Sequence, residues 1–297
     1  MSELKAPTPG ATIRDGAQFR GGREISMSQA SPTAPTAPVV LESREASIVT
    51  LTMNRPERLN ALNNELSTAL NESLTRIAAE HSVHVVVLTG AGRAFCAGGD
   101  LAVIGAGRAR GDATELAPIL RSGMQAVLKI RTMPQPVIAA VNGPAAGAGM
   151  NLAIAADIRI AVEEAVFGQN FAKVGLFPDY GGTYFLPQLV GPSKAAEMFY
   201  TGDMIDAKTA LRLGIVNHVY AADRFHAEVQ SLAAKIATGP QLAIRAVKHT
   251  IFAREKEALA EALEREVEHQ LKCFHSHDCQ EGIRAFLEKR PPSFRGH

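Results

Sequence analysis

The chain has 297 residues, 46% of them hydrophobic and 21% charged, with a formal net charge of +1. That length can bury a large core in one or two domains, while balanced charge and scattered basic residues give no electrostatic footing for nucleic acid or an acidic membrane surface. Three cysteines, Cys96, Cys273 and Cys279, show neither CxxC spacing nor the even number of a disulfide framework, so a reducing, cytoplasmic setting is expected, without disulfide or zinc.

Residues 1–38 mix Arg with Glu3, Asp15 and Glu24, lack an apolar h-region and turn rich in Ser, Thr, Ala and Pro (SQASPTAPTAP), which predicts a disordered tail rather than a signal or transit peptide. Met27 is as acceptable a start as Met1. A core is expected over 39–238. Within it ASIVTLTMN (46–54) alternates Val49, Leu51 and Met53 with polar neighbours, as a half-buried strand does. NNELSTALNESLTRIAAE (63–80) places Leu66, Leu70, Leu74 and Ile77 at helical spacing. HVVVLTG (84–90), PVIAAV (136–141) and DIRIA (157–161) read as buried strands with helices between them, which is the pattern of an α/β chain with largely parallel strands. The low-charge stretch Met133–Ala156 is broken by Pro134, Pro136, Asn142 and Pro144 and is a core segment, not a membrane span. From 239 to 297 three amphipathic helical stretches follow one another with no strand, packing either on their own core or on another subunit, and Asp278 with Glu281 suggests a cap for the last.

Two glycine-rich turns, AFCAGGDL (94–101) and GPAAGAGMN (143–151), each follow a strand, where α/β sheets bind ligands. Neither has the lysine of a P-loop, and Gly147 and Gly149 supply only the first two positions of a dinucleotide fingerprint. Backbone N–H groups converging from two strand ends can form an oxyanion hole without a charged side chain. Small residues that merely let helices pack closely on strands would look the same.

These segments, together with NRPERLNAL (54–62), FGQNFAKVGLFPDYGGTYFLPQLVG (167–191), TGDMIDAKTALRLGIVNHV (201–219) and EGIRAFLEKRPPSF (281–294), resemble the enoyl-CoA hydratase/isomerase (crotonase) superfamily from about residue 40 to the end. The resemblance implies a spiral of ββα units with a C-terminal helical trimerisation region over 239–297, a homotrimer or dimer of trimers, an acyl-CoA substrate, and no metal or redox cofactor, coenzyme A being part of the substrate. It places the oxyanion donors on Ala97 and Ala148, the latter beside Gly147. CoA contacts fall on Arg58, Leu59 and Ala61, acyl-CoA contacts on Gly98, Gly99 and Asp100, and contacts to a neighbouring subunit's CoA on Phe286 and Lys289.

The departures are informative. Where the superfamily's hydratases carry two glutamates, this chain has Asn151 and Phe171, neither of which shuttles a proton, leaving both as pocket residues. One carboxylate stays in a motif position, Asp179 in LFPDYGGT, where similar isomerases, those of phenylacetyl-CoA breakdown among them, hold their acid/base. Phe171, Phe177 and Tyr180 would desolvate it and raise its pKa, although an Asp before a glycine turn can also simply cap a helix. Tyr180 and Tyr184 could orient the substrate, and Glu163 and Glu164 read as a solvated turn. The expected activity is an acyl-CoA isomerase that shifts a C=C bond. The alternatives are a hydratase with a non-standard acid/base pair and a non-catalytic acyl-CoA-binding protein.

Overall fold

The computed structural model describes residues 37–114, 116–253 and 256–297, so the expected tail lies outside the described residues apart from its last two. The chain opens with strands β1 (Val40–Glu45) and β2 (Ile48–Met53), helix α1 (Asn64–Ala78), strand β3 (Val85–Gly90), helices α2 (Leu101–Ala109) and α3 (Leu116–Thr132), and strands β4 (Val137–Val141) and β5 (Ala145–Ala146). Next come α4 (Ala148–Ala155), β6 (Ile158–Val162), β7 (Val166–Gly168), a 3-10 turn (Asn170–Val174), α5 (Gly182–Val190), α6 (Pro192–Thr201), β8 (Met204–Asp206), α7 (Ala207–Arg212) and β9 (His218–Tyr220). Four helices end it: α8 (Ala222–Ala237), α9 (Gln241–Phe252), α10 (Lys256–Phe274) and α11 (His277–Leu287).

The larger sheet has the order β1-β2-β3-β4-β6-β9 and the smaller one β5-β7-β8. Only the β1–β2 hairpin is antiparallel in the larger sheet, with Val40 opposite Met53. Each turn of the chain thus sends one strand to the larger sheet, a short segment towards the smaller one, and then a helix, which is the expected ββα spiral.

β3 reads as an unbroken apolar run because helices cover both of its faces. Val86 and Leu88 join Val137, Ala139 and Val141 in the main core, while Val85 and Val87 face the other way with Ile138 and Ile160 against Val229 and Ala233 of α8. Helix α1 begins where the Asn63 side chain accepts the Leu66 N–H at 2.9 Å, capping the helix start. Its buried stripe, Leu66, Leu70, Leu74 and Ile77, lies against α3, and each such side chain contributes about 1.5–3 kcal/mol by leaving water.

Strands β1, β5 and β8 were not expected from the sequence. β5 has two residues and β8 three, too few to show a period, and β1 is a polar edge strand with five of its six residues exposed. The C-terminal helices pack on the core of their own chain: α10 touches α3 and α5, and α11 touches α2 and the 170–174 turn. A Cβ on Gly282 of α11 would come within 2.5 Å of the Val174 backbone, so no other residue permits that approach. The cap of α11 is Ser276, whose hydroxyl accepts the Cys279 N–H at 3.0 Å, not Asp278. Asp278 is the second residue of the helix, and its carboxylate instead accepts the N–H groups of Arg295 and Gly296.

Candidate active site

The two glycine turns leave the ends of neighbouring strands and lock together. Phe95 and Cys96 donate their N–H groups to the Pro144 carbonyl at 3.1 and 3.2 Å, and Ala146 donates to the Cys96 carbonyl at 3.0 Å. A side chain at Gly149 would run into that same Cys96 carbonyl, and one at Gly143 into the Arg93 carbonyl, which is why small residues crowd this stretch. On the other side the Leu62 N–H donates to the Gly98 carbonyl at 2.7 Å, and the Leu62 carbonyl accepts the Asp100 N–H at 2.9 Å.

That bridge uses the groups flanking Gly99, so the N–H of Gly99 itself faces away from Leu62, on the side of the α4 start. A Cβ on Gly98 would lie 3.6 Å from the Ala148 nitrogen. Ala148 is the first residue of α4, one of the positions whose N–H has no partner inside a helix. Among the described residues no acceptor meets either the Gly99 or the Ala148 N–H. Ala97, expected as a donor, is not available: its N–H donates to the Leu59 carbonyl at 3.0 Å, and Gly98, at φ 97°, breaks the extended backbone that would otherwise point the Ala97 and Gly99 N–H groups to the same side.

Gly99, Ala148, Ala97, Gly98 and Gly147 border one cleft of about 710 Å³, counted to its open mouth. Its walls are apolar, formed by Leu62, Leu101, Ile104, Leu116, Ile119, Leu120, Phe171, Val174, Leu176 and Phe286, with Lys173 also on the border. Among the described residues the single carboxylate on it is Asp179. Asp179 is 7% exposed, and burial followed by the nearby Glu266 carboxylate pushes its pKa from 3.8 up to about 8, against a lowering hydrogen bond from Gln270. Its Oδ2 accepts the Gln270 Nε2 at 3.1 Å, while Oδ1 has no partner among the described residues. The carboxylate does not cap α5, which begins at Gly182 with no side-chain cap on Gly181.

Both polar neighbours of Asp179 come from α10. Gln270 Oε1 accepts the Phe177 N–H at 2.8 Å. Glu266, 1% exposed, accepts the N–H groups of Gly181 and Thr183 at 2.7 and 2.9 Å and the Thr183 hydroxyl at 2.5 Å. Burial raises its pKa to about 7. Neither residue was singled out from the sequence.

Asn151 is not a cleft residue. It is fully buried beneath the loop, its Nδ2 donating to the Asp179 carbonyl at 2.7 Å and its Oδ1 accepting the Gln169 Nε2 at 2.6 Å. Tyr180, at φ 53°, borders the cleft with its ring, but its hydroxyl bonds Ser67 at 3.0 Å and the Ile119 carbonyl at 3.4 Å. Burial drives its pKa well above the usual phenol range, so it is a poor proton carrier.

The sequence profile of the enoyl-CoA hydratase/isomerase family matches residues 43–297. The chain belongs to that family. A relative from Rhodobacter capsulatus described as a probable enoyl-CoA hydratase is 42% identical over 250 residues, covering 84% of this chain and 95% of its own length. The 1,2-epoxyphenylacetyl-CoA isomerase of Escherichia coli is 38% identical over 262 residues, covering 86% and 98%. Among solved structures, an enoyl-CoA hydratase from Mycobacterium avium subsp. paratuberculosis superposes with a TM-score of 0.79 at 33% identity, covering 86% of this chain and 98% of that one.

In this member of the enoyl-CoA hydratase/isomerase family only some of the expected CoA residues, Gly98, Gly99 and Phe286 among them, border the cleft. Arg58 is exposed, and Arg58, Leu59 and Ala61 stand behind Leu62, outside the cleft border. Their loop is tied down by Arg55, which donates to the Ala61 carbonyl and pairs with Asp100 at 3.0 Å, so the Asp100 carboxylate is a brace rather than a free contact. Phe286 borders the cleft of its own chain, whereas Lys289 lies past the end of α11, outside the cleft border. Glu163 and Glu164 occupy an exposed turn between β6 and β7. The three thiols are free, and Cys96 is fully buried. Among the described residues no helix is long and apolar enough to cross a membrane, and no three His, Cys, Asp or Glu side chains group to hold a metal.

Proposed function

We propose that this enzyme is an acyl-CoA isomerase that shifts a C=C bond. The thioester oxygen sits between the N–H groups of Gly99 and Ala148. The Asp179 carboxylate removes a proton from C2 of a 3-enoyl thioester, the electron pair delocalises into the carbonyl as a dienolate, and the Asp179 carboxylic acid returns the proton at C4 to give the conjugated 2-enoyl thioester. Each backbone donor aimed at the developing oxyanion is worth about 3–4 kcal/mol in comparable sites.

The observation that carries this reading is an apolar cleft on which Asp179 is the one carboxylate among the described residues, with one oxygen unpartnered and a pKa raised to about 8. One group that takes and returns a proton suffices for an isomerase, whereas adding water needs help on both the water and the carbon. Asn151 and Phe171 offer none, since the first is committed to Asp179 and Gln169 and the second is a phenyl ring. Similarity to a relative described as an isomerase supports the reading, and relatives described as hydratases supply the rival one.

The test uses trans-3-hexenoyl-CoA and trans-2-hexenoyl-CoA, with chromatographic separation of the two isomers and mass-spectrometric detection of any hydrated product. Isomerisation of the first without hydration of the second is expected, and a hydrated product reverses the assignment. Asp179→Asn should lower kcat at least ~10²-fold with KM little changed. Because the carboxylate form is the base, kcat/KM should climb as pH rises through about 8. The apolar residues that α9 leaves exposed, Leu242 at 88%, Val247 at 56% and Ile251 at 60%, support assembly as a trimer or dimer of trimers. A monomeric mass by light scattering refutes that assembly.

A further inference from the structure

We propose that Glu266 and Gln270, one turn apart on α10, are a pair of positioning residues that set the orientation and charge environment of Asp179, with Gln270 holding Oδ2 so that Oδ1 is the oxygen presented to the substrate. The inference rests on the reading of Asp179 as the acid/base.

The amide of Gln270 has only one orientation open to it. Its Oε1 accepts the Phe177 N–H at 2.8 Å, so its Nε2 is turned as a donor to Asp179 Oδ2 at 3.1 Å. Spanning the Phe177–Asp179 turn in this way, Gln270 occupies one carboxylate oxygen of this cleft-lining residue and leaves the other, Oδ1, buried and without a partner among the described residues. Glu266 acts on the other side of Asp179. The start of α5 exposes N–H groups that a helix leaves unpaired, and Gly181 brings no side chain to meet them. Glu266 reaches across from another helix and accepts the N–H groups of Gly181 and Thr183 together with the Thr183 hydroxyl. The loop that carries Asp179 is therefore fastened at Phe177 and at 181–183 by one face of α10, and from below by Asn151 on the Asp179 carbonyl.

The two positioning residues act on Asp179 with opposite sign. The Gln270 N–H favours the carboxylate and lowers its proton affinity, and the Glu266 charge opposes a second negative charge and raises it. The remaining titratable groups around the site are Tyr180, next in the chain, Cys96 from the first glycine turn, and Lys173 on the cleft border. Burial holds the tyrosine and the cysteine neutral across the working range. A carboxylate left between a donor and a like charge is thereby tuned as a base for carbon acids rather than parked as a structural anion.

Opposite signs give a test that loss of packing cannot imitate. The pH dependence of kcat/KM for trans-3-hexenoyl-CoA is measured for the parent, Gln270→Leu and Glu266→Gln. Without the Gln270 donor the midpoint should move up by roughly one unit, and without the Glu266 charge it should move down, both with KM little changed. If Glu266→Gln does not fold, Thr183→Val takes its place, because loss of the hydroxyl makes the Glu266 carboxylate harder to ionise and moves the midpoint down as well. Midpoints that stay put, or that move in the same direction, overturn the proposal. Activity that survives Asp179→Asn overturns the underlying acid/base reading instead, since the titrating limb then belongs to another group.

Discussion

Two carboxylates are sunk in this chain to nearly the same depth, and they are treated in opposite ways. Asp157, at the end of α4, meets a cation: its Oδ2 pairs with Lys248 Nζ at 2.8 Å and accepts the Val137 N–H at 2.7 Å. Lys248 completes its own set by donating to the carbonyls of Ile130 and Gln135, both at 2.8 Å, and so ties α9 to α3 and the start of β4. Asp179 meets an amide and a second carboxylate, with one oxygen left over. A buried charge with an opposite partner holds elements together, while a buried charge beside a like one holds a proton tightly, which is useful only to chemistry.

The comparison can be broken most forcefully at Asp179. Its pKa is raised in the folded state from 3.8 to about 8, so the protonated form is the one folding favours. Its stabilising share is full below about pH 4 and is lost as pH rises to about 8. Asp179→Asn removes that loss. Urea unfolding should find the variant gaining on the parent steadily between pH 4 and 8 and level above that, even as turnover collapses. A parallel pair of curves would show that the site holds no excess proton affinity.

At Lys248 the expected effect is smaller and of opposite sign. Lys248→Met keeps the stem and strands the Asp157 carboxylate, which should cost about 3–5 kcal/mol by denaturant titration with turnover per folded molecule unchanged. Asn151→Ala sharpens the contrast from below the site. It leaves the Gln169 amide N–H unpartnered, worth about 1–3 kcal/mol, leaves the Asp179 carbonyl with the Gly182 N–H alone, and should lower stability and kcat together. Ser276→Ala, remote from both carboxylates, should cost only about 1 kcal/mol as a lost helix cap, with the pH profile of activity untouched.

The fold was largely legible because its strands β2, β3, β4 and β6 carry their own patterns, apolar runs or alternation bounded by glycine and proline. Asp179 was singled out in LFPDYGGT through the family resemblance, and it lines the cleft. The oxyanion donor on the first turn was not legible. Choosing between Ala97 and Gly99 requires knowing that Gly98 takes φ 97°, because residues two apart in a regular strand would point their N–H groups to the same side. Glu266 and Gln270 were hidden more deeply. In EALEREVEHQLKCF they are two polar residues among many on an amphipathic helix, and only the packing of α10 against α5 and α3 shows that they are inside. Asn151, read from its position as a pocket residue, sits one layer further in because the 179–182 loop lies on top of it, so closely that a Cβ on Gly182 would clash with its side chain.

The residues that tune Asp179 lie some ninety positions after it, and this gives the site an order of birth. A nascent chain emerging from the ribosome has both glycine turns by Ala148 and the carboxylate by Asp179, so the cradle for an anion can form while α10 is still untranslated. Until residues 266–270 arrive, the Phe177, Gly181 and Thr183 N–H groups lack the acceptors they meet in the folded chain, and Asp179 Oδ2 lacks its donor.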